Sequence, residues 1–382
     1  MAFGSTRAKV AAVAALGAAS LVLAACGGSS SSSTSSSAAP ASSSAAASSA
    51  SGGGSGEKVA VSLITKDSTN PFFVAMQNGA KAAGEQAGVD ITVASGKKEG
   101  DSQSQIDAIE AAIAAGQKGI LITPMDTSVN DAITKARQAG LYVIALDTPT
   151  DPADIVDITF ATDNFEAGVL IGKWACAQLG GKDAVIALLD IFNDKVVSVD
   201  YNRDNGFLTG FGIDVKDPKK LADEDPEGSY KCETDGKSGK YTIVGNVATG
   251  ANEEGGRTGM EQLLAKNDKI NVVYTINEPT AIGADAALKA AGKTAVMVSV
   301  DGGKGGCEGV KSGAIGATSQ QYPLLMADLG VKAIKEFAAN GTKPTVSAGL
   351  DFFNTGVTLI TDKPVEGLES KDSQYCIDNA WG

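Results

Sequence analysis

Histidine does not occur anywhere in the 382 residues. Its absence excludes Ser-His-Asp and Cys-His nucleophile schemes and every imidazole-ligated metal centre. Carboxylate chemistry is the main enzymatic class left open. Aromatic residues are scarce, at 5% of the chain. Positive charge is short: 32 Lys and Arg stand against 45 Asp and Glu, a formal net charge of -13. Such an acidic surface disfavours phosphate backbones and anionic membrane faces, which argues against nucleic-acid binding. The five cysteines form no CxxC pair, so a zinc or redox site is not indicated and no metal or cofactor is implied. Beyond the first 25 residues no apolar run is long enough to span a bilayer.

What is present begins with a processing signal. "MAFGSTRAK" carries Arg7 and Lys9, and "VAAVAALGAASLVLAA" is apolar but short for a transmembrane span. Leu23, Ala24 and Ala25 precede Cys26, which resembles a bacterial lipoprotein signal with Cys26 as the lipidated residue. Residues 27–56 are almost all Ser, Ala and Gly, a composition that buries no core and reads as a disordered tether. Its root-mean-square span is roughly 30 Å. The folded part is therefore expected outside the cell, held at the outer face of the cytoplasmic membrane by lipid alone. The four later cysteines, an even number in an exported chain, point to disulfides.

From residue 58, β-branched runs alternate with helical patterns. Strands are expected at 58–64, 90–94, 119–123, 142–146, 184–189, 241–246, 271–276 and 295–300. In 102–115, Ile106, Ile109 and Ile113 recur on one helical face, with Gly116 closing the helix. Strands alternating with helices predict an α/β fold with doubly wound parallel sheets. "GILITPMDTSVNDAITKARQAGLYVIALD" and "NVVYTINEPTAIGADAALKAAGKTAVMVSVD" share one order: strand, polar residue, helix, strand, Asp. Two lobes of similar topology follow.

Asn70, Asp147, Asn277 and Asp301 fall at the carboxyl ends of strands, where open α/β sheets bind ligands. Asp and Asn there can equally cap the next helix. Four such edges in two matching lobes favour a shared cleft. "TNPFF" adds Phe72 and Phe73 at one of these edges. Phe73, spaced with Met76 and Ala80, can also pack as core. One ring is expected to stack on the ligand and the other to support it.

"TNPFF", "ILITPMD", "VIALDTP", "FATDN", "NRDNGF", "INEPTAIGA", "VSVDGG" and "ATSQQYP" occur in the order seen in sugar-binding proteins of bacterial ABC importers. The resemblance covers about residues 57–362 and is strongest to the ribose- and fructose-binding branch, whose fold LacI-type repressors share. It implies a type I periplasmic binding protein fold that is not an enzyme. It implies a monosaccharide ligand, an ABC permease as partner, and a monomer. The implied ligand residues are Asn70, Phe72, Phe73, Asp147, Arg203, Asn277, Asp301 and Gln321. Thr148 stands where ribose binders have a second arginine, and Ala251 or a neighbour replaces an aromatic. Lys66 adds a positive charge in the loop before Asn70. These departures argue against ribose, fit a fructose-type ligand, and leave a sugar alcohol or sugar acid open.

The expected lobes are 57–162 with 322–354, and 163–321 with 355–382, joined by crossings near 161–164, 320–323 and 354–356. Cys176 then pairs with Cys232, which lies in an insertion at roughly 214–240. Cys307 pairs with Cys376, since the tail should return to the second lobe. "DGKSGKYT" fails as a phosphate loop because a strand follows it. "GGKGGCEG" misses the dinucleotide pattern at Glu308. "DEDPEG" lacks calcium-loop spacing and reads as a solvated turn. A chemosensor receptor of the same fold is one rival reading. A surface glycosidase using Asp147 and Asp301 is another, weakened by the want of a general acid. A repressor lacks support, because no basic helix-turn-helix opens the chain.

Overall fold

A computed structural model describes residues 59–382; the lipidation site at Cys26 and the tether lie outside them. The elements run β1 (Val59–Thr65), α1 (Pro71–Ala87), β2 (Val89–Ser95), α2 (Ser102–Ala114), β3 (Gly119–Ile122), α3 (Asn130–Gln138), β4 (Tyr142–Leu146) and β5 (Ile158–Ala161). Then come α4 (Asn164–Leu179), β6 (Ala184–Asp190), α5 (Ser198–Phe211), β7 (Glu227–Lys231), β8 (Ser238–Ala248), α6 (Glu253–Lys266), β9 (Val272–Thr275), α7 (Glu278–Ala290) and β10 (Val296–Asp301). The chain finishes with α8 (Lys304–Ser312), β11 (Ala317–Gln320), α9 (Pro323–Asn340), β12 (Phe353–Asn354), β13 (Thr358–Ile360) and α10 (Ser373–Asp378).

Two sheets result. The first is all parallel, in the order β12-β5-β4-β3-β1-β2. The second runs β13-β11-β10-β9-β6-β8-β7, with only the edge strands β13 and β7 antiparallel. Both faces of each sheet are covered, which is why β3, β4 and β9 are wholly apolar or buried runs. Phe73, Met76, Val331 and Ile334 of α1 and α9 fill one side of the first sheet; Ile109, Ile133 and Ala136 of α2 and α3 fill the other. Trp174, Phe207 and Phe211 of α4 and α5 cover one side of the second sheet. Met260, Leu263 and Ala284 of α6 and α7 cover the opposite side.

The chain passes from one sheet to the other three times: between β5 and α4, between β11 and α9, and between β12 and β13. The strands there are bonded together, with Thr355 N donating to Ala161 O and Asp163 N to Asn354 Oδ1. The two halves are closed on each other. Lys195 Nζ from the second reaches Gly100 O and Asp126 Oδ2 of the first, both at 3.1 Å. Ser198 Oγ donates to Pro149 O at 2.7 Å.

Several expectations need correction. Strands β5, β7, β11, β12 and β13 lie outside the ranges expected for strands, and β8 is longer than expected. The insertion at 214–240 is partly the β7–β8 hairpin, and "DGKSGKYT" lies at its turn and second strand. On α2, Ile109 is buried but Ile106 and Ile113 are only half-buried, while Gln105 is wholly buried. Its amide explains this: Nε2 donates to Thr65 O and Thr123 O, and Oε1 accepts from Met125 N. The disulfides Cys176–Cys232 and Cys307–Cys376 are both formed. The second ties α10 to α8, but the tail continues beyond it. Trp381 packs among the first sheet's core residues, edge-on to Phe72 at 5.2 Å. No helix of the described residues is long and apolar enough to cross a membrane.

Candidate functional site

The loop after β1 is shaped by Asp67, whose Oδ1 accepts from the backbone N–H of Thr69 and Asn70, both at 2.7 Å. Asn70 then caps α1, its Oδ1 accepting from Phe72 N, and Pro71 opens the helix with its fixed φ. Phe72 and Phe73 meet edge to face at 5.4 Å. Lys66 is 2% exposed, and its Nζ lies 3.3 Å from Glu99 Oε1.

Asp147 follows β4 with φ +65°, in the left-handed region that few non-glycine residues adopt. No helix begins beside it, so helix capping does not account for it. Its Oδ2 accepts from Thr148 Oγ1 at 2.8 Å. Asp301 ends β10 at φ +142°, and the following helix is capped by Gly303 instead. Asp301 Oδ1 accepts from Gln321 Nε2 at 2.8 Å and sits 3.6 Å from Arg203 Nη1. Asn277 caps α7, its Oδ1 accepting from Thr280 N, and its Nδ2 donates to Ala251 O. Arg203 is held by Asn164 Oδ1 at 2.7 Å from Nε and by Ile276 O at 2.9 Å from Nη1.

These side chains converge. Lys66, Asn70, Phe72, Phe73, Asp147, Arg203, Asn277, Asp301 and Gln321 all line one narrow cavity between the sheets. Glu99, Ile191, Val199, Ala251 and Ile276 complete the wall. Three of the four non-glycine residues with positive φ among the described residues line it: Asp147, Ala251 and Asp301. Backbone held this way costs about 1–3 kcal/mol per residue and gathers at functional sites. A roomier surface cavity lies against Asp190, Phe192 and Tyr201, but every residue lining it comes from 190–248, so it is not shared between the sheets.

The electrostatics are those of a dry site. Burial pushes the Asp301 carboxyl up to about 7, against the pull of Arg203. Beneath it, burial and then the Asp301 charge raise Glu278 to about 8. Glu278 nonetheless accepts from Gly302 N, Gly303 N and Thr318 Oγ1 at 2.7–2.9 Å, so it braces the Asp301 turn. Glu99 is raised by burial and drawn back by Lys66. Glu99 Oε1 faces the Lys66 ammonium at 3.3 Å. Gln321 Oε1 is a buried acceptor with no hydrogen-bond donor among the described residues. A ligand rich in hydroxyls would supply such a donor. No group of three or more carboxylates or thiols among the described residues is arranged to hold a metal ion.

Sequence reasoning missed two contributors. Glu99 sits in "KKEG" with no local signal, and its partner Lys66 is on another loop. Trp381 is remote in sequence from Phe72, and its Nε1 donates to Gln321 O at 3.0 Å.

Two parallel-sheet halves closed on a polar cavity at their strand ends define a binding protein of type I periplasmic architecture. The chain belongs to the family described as the periplasmic binding protein domain, which residues 61–343 match. It is similar to the ribose import binding protein RbsB of Haemophilus influenzae, 28% identical over 276 residues, or 72% of this chain and 83% of that protein. It is also similar to the D-apiose import binding protein of Actinobacillus succinogenes, 28% identical over 239 residues, 62% of this chain and 68% of the other. Among solved structures, an ABC transporter solute-binding protein from Agrobacterium vitis with bound D-fucose shares the fold. Its TM-score is 0.67 at 24% identity, covering 85% of this chain and 100% of that one. These relatives are binding proteins of importers and not enzymes.

Proposed function

We propose that the protein is an extracytoplasmic solute-binding lipoprotein that captures a monosaccharide between its lobes and delivers it to an ABC permease. The observation that carries this is the convergence of nine side chains from both sheets on one buried cavity. The Phe72 and Phe73 faces suit the C–H surface of a sugar ring, and Asp147, Asn70, Asn277, Asp301 and Arg203 suit its hydroxyls. Relatives named for ribose and apiose import support the substrate class. Thr148 and Ala251, in place of an arginine and an aromatic, favour a fructose-type sugar over ribose.

In this reading the lobes are 57–162 with 322–354, and 163–321 with 355–382. They rotate about the three crossings, and the sugar shifts the population toward the closed form because it touches both. Cys26 carries the lipid, and residues 27–56 tether a monomer at the outer face of the membrane. A thermal-shift panel of pentoses, hexoses, polyols and sugar acids tests the proposal. A sugar at 100 times its Kd stabilises the protein by about 2.7 kcal/mol. No stabilisation by any monosaccharide at millimolar concentration would overturn it.

A further inference from the structure

We infer that Glu99, paired with Lys66 in the wall of the cavity, makes this site select a neutral sugar and reject a sugar acid. The inference rests on the monosaccharide reading above and goes beyond it by deciding what Lys66 alone leaves open. A lone lysine in a sugar cavity would invite a carboxylate. This lysine is already engaged: its side chain is 3% exposed, that of Glu99 is 8% exposed, and the charges lie 3.3 Å apart.

The fold builds the pair deliberately close. Lys66 follows β1 and Glu99 follows β2, and these strands pair in parallel through Thr65 and Ser95. Gly96 N donates to Thr65 O at 3.1 Å. A Cβ at Gly96 would stand 2.3 Å from Lys66 O, so only glycine lets the 97–99 loop press against Lys66.

The remaining charges point the same way. The cavity is lined by two cations, Lys66 and Arg203, and three carboxylates, Glu99, Asp147 and Asp301. The formal sum is 2 - 3 = -1. Arg203 is committed to Asn164, Ile276 O and Asp301. An incoming carboxylate would therefore find no spare cation and a wall of carboxyl groups, Asp147 among them, in a poorly screened space. Hydroxyls face no such penalty and bring a donor to Gln321 Oε1, which has none among the described residues. Rejection of the acid is thus built from repulsion as well as from missing attraction.

The test is calorimetric titration of the whole protein with D-fructose, D-ribose, D-galacturonate and D-gluconate. Three proteins are compared: the native chain, Glu99→Gln, and the double variant Lys66→Met/Glu99→Gln. The native chain should bind its best neutral sugar at least roughly 100-fold tighter than either acid. Glu99→Gln frees the lysine and should narrow that preference by roughly 10-fold or more, mostly by gaining affinity for the acid. The double variant removes both charges, avoids an unpaired buried lysine if the single variant folds poorly, and should lose the gain. Equal binding of acid and neutral sugar by the native chain overturns the inference alone. So does an unchanged preference in a folded Glu99→Gln protein, or a gain for the acid that survives removal of Lys66. Binding of neither class by the native chain overturns the monosaccharide reading itself.

Discussion

Arg203→Ala separates a ligand contact from a structural one. The guanidinium is 3% exposed and joins three partners from different elements: Asn164 of α4, the carbonyl of Ile276 after β9, and Asp301 of β10. Removing it leaves the buried Asp301 carboxylate without its cation and two acceptors without a donor. Breaking one side of a buried ion pair costs about 3–5 kcal/mol. Protonation of Asp301, already raised to about 7, recovers part of this at low pH. The expected outcome is a loss of about 3 kcal/mol in urea unfolding at pH 8, a smaller loss at pH 6, and loss of sugar binding at both. Arg203→Ala/Asp301→Asn should recover stability but not affinity. The assay is urea denaturation of the free protein followed by calorimetry on the same preparation. An Arg203→Ala protein that unfolds like the native chain at both pH values would refute the reasoning, because the pair would then contribute nothing to the fold.

Asp147→Asn should behave differently: its carboxylate has only Thr148 Oγ1 as a hydrogen-bond partner among the described residues, so the variant should melt near the native temperature yet bind sugar 10- to 150-fold more weakly, the equivalent of about 1.5–3 kcal/mol. Unchanged affinity in calorimetry would assign Asp147 to the fold. Free-protein stability should fall as pH rises from about 5 to 8. Glu278 and Asp301 hold their protons more tightly folded than unfolded, so their stabilisation is complete below the ordinary carboxylate range and is lost through about 7 and 8. Each excess proton gives a slope of about 1.4 kcal/mol per pH unit, and Glu278→Gln should flatten the curve by up to that amount; an identical slope in chemical denaturation would contradict the raised value. Replacing either cystine by two serines should cost about 4 kcal/mol, since each closes a loop of similar length, 56 and 69 residues apart in sequence. Peptide mapping that finds free thiols at these positions would remove the basis for that figure.

The parallel core was legible because strands buried on both faces must be continuous apolar runs, as in β3 and β4. Short strands at and next to the sheet edge were not legible: β12 has two residues, and β5 reads "ITFA", too brief to separate from a loop. Gln105 shows why periodicity misplaces a buried face, since its burial depends on backbone groups of two other segments, the end of β1 and the loop after β3. The site residues Asn70, Asp147, Asn277 and Asp301 were legible from their place after strands. The question of capping was answerable only from coordinates: Asn70 and Asn277 do cap helices, while Asp147 and Asp301 instead occupy left-handed or otherwise rare backbone. Glu99 and Trp381 were illegible because their partners, Lys66 and Phe72, come together only through tertiary packing.

Titration calorimetry with fructose, with an amino acid and a disaccharide as controls, tests the central claim most directly. The expected monosaccharide Kd is near micromolar, about -8 kcal/mol, with far weaker binding of the disaccharide. An amino acid bound more tightly than every monosaccharide would contradict it.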